Sequence, residues 1–236
     1  RMENLTNGSV GKLGPSQPEL ENESVDFISH YRKYEEQFEH VAEAAHEHGL
    51  DVHIDGARLM NACVASEYSP KEFAAQADSV SICFSKGLGA PVGSALVGSQ
   101  KMITQARRFR KMLGGGMRQS GMLAAAAQYA LEHHVDRLAE DHAHAQLLAE
   151  SLSEVEGITV LPVAGDTRTN MVYIRIDPTS GTAADFQDAL EKQGIGVLAL
   201  GPHVVRVVMH LHITDHDVHT TAEAIRTVAQ DLSGQG

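Results

Sequence analysis

A lysine in an open setting is the first residue of this sequence that could do chemistry. The apolar run over residues 80–84 predicts a buried strand, and Lys86 follows it by two positions. Gly87, Gly89 and Gly93 come within the next seven residues, so little side-chain bulk surrounds the amine. Partial burial would lower the pKa of such an amine and favour a Schiff base with a carbonyl cofactor. An ordinary turn lysine after a strand is the alternative.

A carboxylate takes the equivalent place one strand earlier. Residues 50–54 are typical of a short strand, and Asp55 follows them directly. Strands that alternate with helices favour a mostly parallel sheet, whose ligands bind beyond the carboxyl ends of the strands. We therefore expect Asp55 and Lys86 at the same sheet edge. Pyridoxal 5'-phosphate (PLP) needs such a pair, because a lysine bonds to it and a carboxylate keeps its pyridine nitrogen protonated. A capping role for Asp55 is the alternative.

The elements that must position these residues follow from hydrophobic periodicity. Residues 1–25 predict a loop, because they are polar and rich in glycine and proline. The next part of the chain predicts helices over residues 27–49, 59–65, 69–76, 102–112 and 120–133, with strands over 50–54, 80–84 and 94–97. The last part predicts helices over residues 135–155, 182–193 and 215–232, with strands over 158–161, 170–176, 195–200 and 204–210 and a turn at Gly165. We place a domain boundary near residues 134–140.

Composition and charge exclude several classes of function. The net charge is −12, which disfavours nucleic acid and anionic membrane surfaces as partners. Four basic residues form a local exception: Arg107, Arg108, Arg110 and Lys111. No apolar run is long enough to span a bilayer. Two cysteines, of which Cys83 lies in a predicted strand, favour free thiols and a cytoplasmic location.

Other kinds of site fit the sequence poorly. Gly93 has the wrong offset from the preceding glycines for a dinucleotide-binding loop, and no glycine precedes Lys86 as a phosphate-binding P-loop requires. No serine lies in a nucleophile elbow. Four histidines near the carboxyl end lack a thiolate among them, so no metal site is predicted: His210, His212, His216 and His219.

Three segments, in order along the chain, closely resemble the low-specificity L-threonine aldolases. These are PLP-dependent lyases of the β-eliminating lyase group, with the aspartate-aminotransferase-like fold. The segments are His53-Ile54-Asp55-Gly56-Ala57-Arg58, then Phe84-Ser85-Lys86-Gly87-Leu88-Gly89-Ala90-Pro91-Val92-Gly93-Ser94, then Arg110-Lys111-Met112-Leu113-Gly114-Gly115-Gly116-Met117-Arg118-Gln119. A later segment, Val205-Arg206-Val207-Val208-Met209-His210-Leu211, is similar to the arginine strand of the family. Residues 3–7 resemble a weakened form of another family segment.

The resemblance implies both a fold and a set of site residues. The fold would be α/β, a PLP-dependent transferase-like (fold type I) large domain with a mostly parallel sheet, here residues 1–134, and a smaller α+β domain, residues 135–236. Lys86 would be the Schiff-base lysine and Asp55 the partner of the pyridine nitrogen. Arg206 would clamp the substrate carboxylate, with Arg58 beside both substrate and cofactor. Further cofactor contacts would come from Ser85, Lys111 and Arg118.

The implied activity is retro-aldol cleavage of L-threonine or L-allo-threonine to glycine and acetaldehyde. The implied assembly is a homo-oligomer, a dimer of dimers, with Lys111 and Arg118 near the site of a neighbouring subunit. Chains of the family begin earlier than this one, so we expect a preceding segment to carry the phosphate-cradling turn and two histidines. Another PLP-dependent amino-acid lyase, an aminotransferase and a truncated non-catalytic paralogue are the alternatives.

Overall fold

The computed structural model describes residues 31–66, 68–162 and 169–233, with side chains from residue 38 onward. Four sequence-based predictions therefore lie outside the described residues: the loop over residues 1–25, the family-like segment over 3–7, the helix start at Phe27 and the turn at Gly165. The chain divides into two compact units, of which the first ends at Arg137 and the second begins at Leu138. The assignment of a cofactor-binding domain to residues 1–134 and a small domain to 135–236 stays a prediction.

The first unit is built on a three-stranded sheet in the order β1-β2-β3. Strand β1 pairs parallel with β2, and β2 pairs antiparallel with β3. Only the first pair has a crossover, whereas β2 and β3 are joined by a loop that returns the chain directly onto its neighbour. The elements in order are α1 (Tyr31–Glu47), β1 (His53–Gly56), α2 (Leu59–Ser66), α3 (Pro70–Ala74), β2 (Ser79–Cys83), β3 (Ser94–Gly98), α4 (Gln100–Met112) and α5 (Gly121–His133).

One side of this sheet packs on the first three helices. Alternation along β1 turns Ile54 inward while Asp55 stays half-buried on the other side. Burying this core supplies most of the favourable free energy that holds β1 and β2 together. Its members come from α1, α2, α3 and the two strands: Phe38, Ala42, Val52, Ile54, Leu59, Ala62, Cys63, Phe73 and Val80.

Hydrogen bonds to the side chain of Asp78 align the starts of β1 and β2. Its Oδ2 accepts a hydrogen bond from the backbone N–H of Val52 at 2.8 Å and another from Nε2 of His46 at 2.8 Å. These two bonds, the first more than the second, lower the pKa of Asp78. Asp78 thus ties the end of α1 and the residue before β1 to the strand that leads to Lys86.

The second unit is a four-stranded antiparallel sheet in the order β4-β5-β7-β6, covered by helices on one face. Fully buried side chains from the sheet and the helices form its core, among them Leu148, Ile174, Phe186, Val205 and Ile225. The elements are α6 (Leu138–Ser151), β4 (Ile158–Val160), β5 (Met171–Ile176), a 3₁₀ turn (Pro178–Ser180), α7 (Ala183–Glu191), β6 (Leu198–Ala199), β7 (Val204–Val208) and α8 (Asp215–Ser233). Strand β6 is shorter than predicted, since its ladder with β7 closes at a turn in which Leu200 N–H donates to Val204 O.

Within the described ranges no helix is both long enough and apolar enough to cross a bilayer.

Candidate active site

Asp55 sits near the carboxyl end of β1, directly opposite Ser81 of β2. Its Oδ1 accepts a hydrogen bond from the backbone N–H of Ala57 at 3.2 Å. The hydroxyl of Ser81 lies 3.5 Å from the same oxygen, at the limit of a hydrogen bond. The carboxylate is therefore oriented by its own strand end and by the neighbouring strand.

Gly56, next to Asp55, allows the two parallel strands to approach closely. A Cβ at this position would lie 2.7 Å from the backbone oxygen of Ser81 and 3.1 Å from a methyl group of Val80. No side chain fits in that space, since β2 occupies it with backbone. The glycine in the Asp-Gly-Ala-Arg segment is thus a requirement of strand pairing beside the carboxylate.

Lys86 begins a tight turn in the loop between β2 and β3. The loop is closed at its base by two hydrogen bonds of Phe84, whose N–H donates to Gly93 O and whose oxygen accepts from Ala90 N–H, both at 2.9 Å. Within the loop the N–H of Gly89 donates to Lys86 O, also at 2.9 Å. Gly89 has a φ of +71°, a conformation that L side chains rarely adopt.

The side chain of Lys86 is exposed, which corrects the expectation that it is partly buried. The buried positions of the turn are taken by Gly87 and Leu88 instead. In the described part of the chain the amine makes no hydrogen bond or ion pair. Ser85 is also exposed, and its hydroxyl lies 3.4 Å from Sγ of Cys83. Lys86 therefore presents an unpaired amine beyond the end of β2.

A cleft open to solvent joins the loops that follow β1 and β2. It is shallow and is lined by two groups of residues. Arg58 lies on the wall that follows β1, and Gly87 lies on the wall that follows β2. The structure thus places Arg58 and part of the Lys86 turn around this cleft, while Asp55 lies near the carboxyl end of the adjoining strand β1. The lining residues are Ala57, Arg58, Leu59, Met60, Asn61, Ile82, Cys83, Gly87 and Leu88.

Lys111 and Arg118 lie on a different part of the first unit. Lys111 is in the last turn of α4, and Arg118 follows in the glycine-rich segment. Both side chains are exposed, and neither contacts Asp55 or Lys86 through a hydrogen bond or ion pair within the described ranges. Helix α4 itself buries no residue. Their predicted contact with the cofactor stays a prediction.

Arg206 belongs to the second unit, at the middle of β7. It lies opposite Tyr173 of β5 and Leu198 of β6. Its neighbours Val205 and Val207 point into the core, so alternation places Arg206 on the other face of the sheet. Its Nε is buried, and none of the described residues accepts a hydrogen bond from it. A guanidinium in this state is suited to a carboxylate ligand.

Two of the four histidines near the carboxyl end, His210 and His212, are close neighbours in the structure. The rings of His210 and His212 meet edge to face with centroids 5.7 Å apart. No group of three or more potential metal ligands is found among the described residues.

His134 was not predicted as a site residue, yet its Nδ1 lies 2.7 Å from the carbonyl oxygen of Leu88 in the Lys86 turn. The adjacent pair His133-His134 at a helix end is the only signal that could have drawn attention to it.

Comparison with known sequences gives consistent relatives. Low-specificity L-threonine aldolase 1 of Arabidopsis thaliana is 46% identical over 187 residues, which are 79% of this chain and 52% of that protein. Low specificity L-threonine aldolase of Escherichia coli K12 is 44% identical over 173 residues, or 73% of this chain and 49% of that protein. The chain spans about half the length of the curated relatives it matches.

Solved structures and a family profile give the fold and the family. Threonine aldolase of Leishmania major superposes with a TM-score of 0.64 at 20% identity, covering 82% of this chain and 56% of that one. Oryza sativa TDC, solved with PLP and tryptamine, gives 0.64 at 19% identity, covering 82% and 44%. These likenesses confirm the predicted α/β fold of type I. The profile of the beta-eliminating lyases matches residues 34–177, more than half of the sequence, and the chain is therefore a member of the beta-eliminating lyase family.

Proposed function

We propose that the protein containing this chain is a PLP-dependent aldehyde-lyase that cleaves L-threonine and L-allo-threonine to glycine and acetaldehyde. One observation carries the proposal. Asp55 lies near the carboxyl end of β1 and the turn of Lys86 follows the carboxyl end of the parallel strand β2, in a chain whose relatives bear the name threonine aldolase. The sheet edge at such carboxyl ends is where α/β sheets bind their ligands.

The residues at this edge fit PLP by their chemistry. An amine without a partner in the described chain, that of Lys86, suits the cofactor aldehyde. The Asp55 carboxylate suits a protonated pyridine nitrogen. Ser85, Lys111 and Arg118 are exposed donors that suit a phosphate. A PLP ligand is also present in the Oryza sativa structure of the same fold.

Each residue has one task in the proposed reaction. Lys86 would hold the cofactor covalently through Nζ, and Asp55 would keep a proton on the ring nitrogen. Arg206 would bind the substrate carboxylate through two parallel N–H donors, and Arg58, which lines the cleft, would lie near the same group. The cofactor supplies, when bound, an electron sink for breaking the Cα–Cβ bond.

The proton balance of the reaction is simple. The β-hydroxyl of threonine loses its proton as acetaldehyde leaves, and Cα gains a proton as glycine forms.

We also propose a cytoplasmic homo-oligomer, a dimer of dimers. Large apolar side chains on and around α4 and α5 are more than half exposed, which supports a surface that another subunit covers: Phe109, Met112, Leu113, Met117, Met122 and Tyr129. Both cysteines are free thiols, which fits a reducing compartment. The net charge of −12 speaks against a nucleic-acid partner.

Borohydride trapping tests this proposal. The natural protein, incubated with PLP, should release acetaldehyde from L-threonine. A separate sample reduced with borohydride should carry the cofactor mass on the peptide that contains Lys86. Lys86→Ala should lose both. Lys101→Ala is the matched control, because Lys101 is another exposed lysine in the same unit.

The products separate the alternatives. Pyruvate from serine or cysteine, or a keto acid from amino transfer, would replace the aldolase assignment by another PLP reaction. Cofactor trapped elsewhere than Lys86 would overturn the assignment of that residue. A natural protein that fails to bind PLP would favour a non-catalytic role.

A further inference from the structure

The turn that carries Lys86 is held from outside by one side chain. Nδ1 of His134, at the carboxyl end of α5, lies 2.7 Å from the carbonyl oxygen of Leu88. Among the described residues this is the only side chain that hydrogen-bonds to the backbone of residues 86–89. Forty-six positions separate the two partners, so the bond joins the loop to a distant helix.

We propose that His134 is a positioning residue for Lys86, an inference that rests on the proposed role of Lys86. The exposed amine makes no hydrogen bond or ion pair with a described residue, so the backbone of the turn must fix the place from which the side chain extends. That backbone is closed inside by the bond from Gly89 N–H to Lys86 O and fixed outside by His134. Removing the outer bond would let the turn move relative to Asp55.

The protonation of His134 follows from its partner. A carbonyl oxygen only accepts, so Nδ1 must carry the proton and donate it to Leu88 O. The neutral Nδ1–H form and the charged form can both make this bond. Either form of the imidazole can therefore make the hydrogen bond from His134 Nδ1 to Leu88 O. We call this hydrogen bond the tie.

His134 is itself well anchored. Its backbone N–H donates to the oxygen of Ala130, a residue that is 1% exposed. The ring of Tyr129 lies edge-on to the imidazole with centroids 5.5 Å apart. Leu88, on the loop side, is buried as well, at 3% exposure. Because both partners are fixed, the hydrogen bond between His134 and Leu88 can hold the Lys86 turn in place relative to α5.

Hydrogen exchange of the natural protein with PLP bound tests the tie directly. In His134→Ala, the amides of residues 84–93 should exchange on the order of ten times faster, the Gly89 amide included, while the rest of the unit keeps its protection. His134→Asn keeps a donor near the same place and should restore most of the protection. His133→Ala is the matched control, because His133 is exposed and contacts the ring of Tyr129 but not the loop.

A second readout links the tie to Lys86. The rate at which the Lys86 amine bonds to added PLP should fall in His134→Ala, and kcat should fall roughly ten- to a hundredfold with a smaller change in KM. The pH at which the absorbance of the Lys86-bound cofactor changes should also shift, since the bound amine would move relative to the Asp55 carboxylate. A merely structural residue would lower the melting temperature without this shift.

Three outcomes would overturn the inference: unchanged exchange of residues 84–93, a rise spread evenly over the unit, or an unchanged absorbance transition. Should His134→Ala fail to fold, His134→Leu fills the space without a donor and decides the question. If PLP does not bond to Lys86 in the unaltered protein, the proposed function fails, whereas the exchange result still reports on the tie itself.

Discussion

Asp55 and Ser81 face each other across the only parallel strand pair of the described chain, and the Ser81 hydroxyl approaches Oδ1 of Asp55 to 3.5 Å. The backbone N–H of Ala57 reaches the same oxygen at 3.2 Å. Two donors on one oxygen fix the orientation of the carboxyl group before any ligand binds. The proposed chemistry needs the negative charge of Asp55, whereas the two donors fix the orientation of its carboxyl group. The charge and the orientation can therefore be tested by different substitutions.

Asp55→Asn tests the charge alone. Asparagine keeps the size of the side chain and an oxygen for both donors, but it cannot hold a proton on the pyridine nitrogen. We expect kcat for threonine cleavage to fall on the order of a hundredfold or more, while the melting temperature stays near that of the unaltered protein. Aldehyde release and thermal unfolding measure the two effects.

Ser81→Ala is the matched variant for position. It removes one long hydrogen bond, worth about 1 kcal/mol or less, so kcat should fall less than about tenfold. If Asp55→Asn proved no worse than Ser81→Ala, the charge of Asp55 would have no special role in the reaction.

Gly56→Ala tests the close approach of β1 and β2. The new Cβ would lie 2.7 Å from the Ser81 oxygen, a backbone atom that cannot move without opening the ladder. We expect a loss of about 1–3 kcal/mol in the free energy of unfolding, measured by urea denaturation. Activity should fall too, because the displaced strand carries Asp55.

Gly121→Ala is the control for this substitution. Gly121 starts α5, and a Cβ there meets nothing within 4 Å. Alanine should therefore leave stability unchanged or raise it by up to about 1 kcal/mol. Equal stabilities of Gly56→Ala and the unaltered protein would show that the strands can separate at low cost.

Local patterns predicted much of the architecture around the site. A continuous apolar run predicted the strand before Lys86, and a short strand was predicted just before Asp55. The predicted end of the first helix at Gly49 lies where the structure has a φ of +70°. Because the carboxyl ends of parallel strands share an edge, the parallel pairing of β1 with β2 puts both residues at the same side of the sheet.

What depended on distant contacts could not be predicted in the same way. The burial of Lys86 was expected from its neighbours in sequence, but Gly87 and Leu88 take the buried places in the turn. The contact from His134 to Leu88 joins positions forty-six residues apart, and no periodicity encodes it. The antiparallel pairing of β2 with β3 depends on how the glycine-rich loop between them folds back. The spacing of apolar residues along the sequence does not determine this.

The two cysteines should differ sharply in reactivity. Burial raises the pKa of Cys63 to about 12, so only about one in ten thousand of these side chains is the reactive thiolate at pH 8. Cys83 is half-buried and lines the cleft beside Arg58. A thiol reagent should therefore modify Cys83 alone in the folded protein and both cysteines in denaturant, as counted by intact mass.

Bound PLP should slow the labelling of Cys83, since a ligand in the cleft would cover it. Cys83→Ala should then show no modification in the folded protein. Rapid labelling of Cys63 under native conditions would contradict the packing of α2 against the sheet.

Stability should fall in mildly acidic solution because of His142 on α6. Burial lowers the pKa of this histidine to about 4, whereas in the unfolded chain it is about 6.5. Below pH 6.5 the unfolded state therefore takes up a proton that the folded state refuses, and the free energy of unfolding drops as the pH falls toward 4. Between pH 7.5 and 5 this group alone should cost about 2 kcal/mol.

Urea unfolding at several pH values measures this slope, and His142→Gln should flatten it. His219→Gln is the control, because His219 is an exposed histidine of the same unit, and it should keep the slope of the unaltered protein.

Hydrogen bonds from threonine side chains lower the pKa of three carboxyl groups in this unit, those of Asp177, Asp185 and Asp217. Their stabilising effect is lost only as the pH falls below the ordinary carboxyl range, so the window from pH 7.5 to 5 isolates the histidine. An unchanged slope in His142→Gln would mean that the buried imidazole accepts its proton without opening α6.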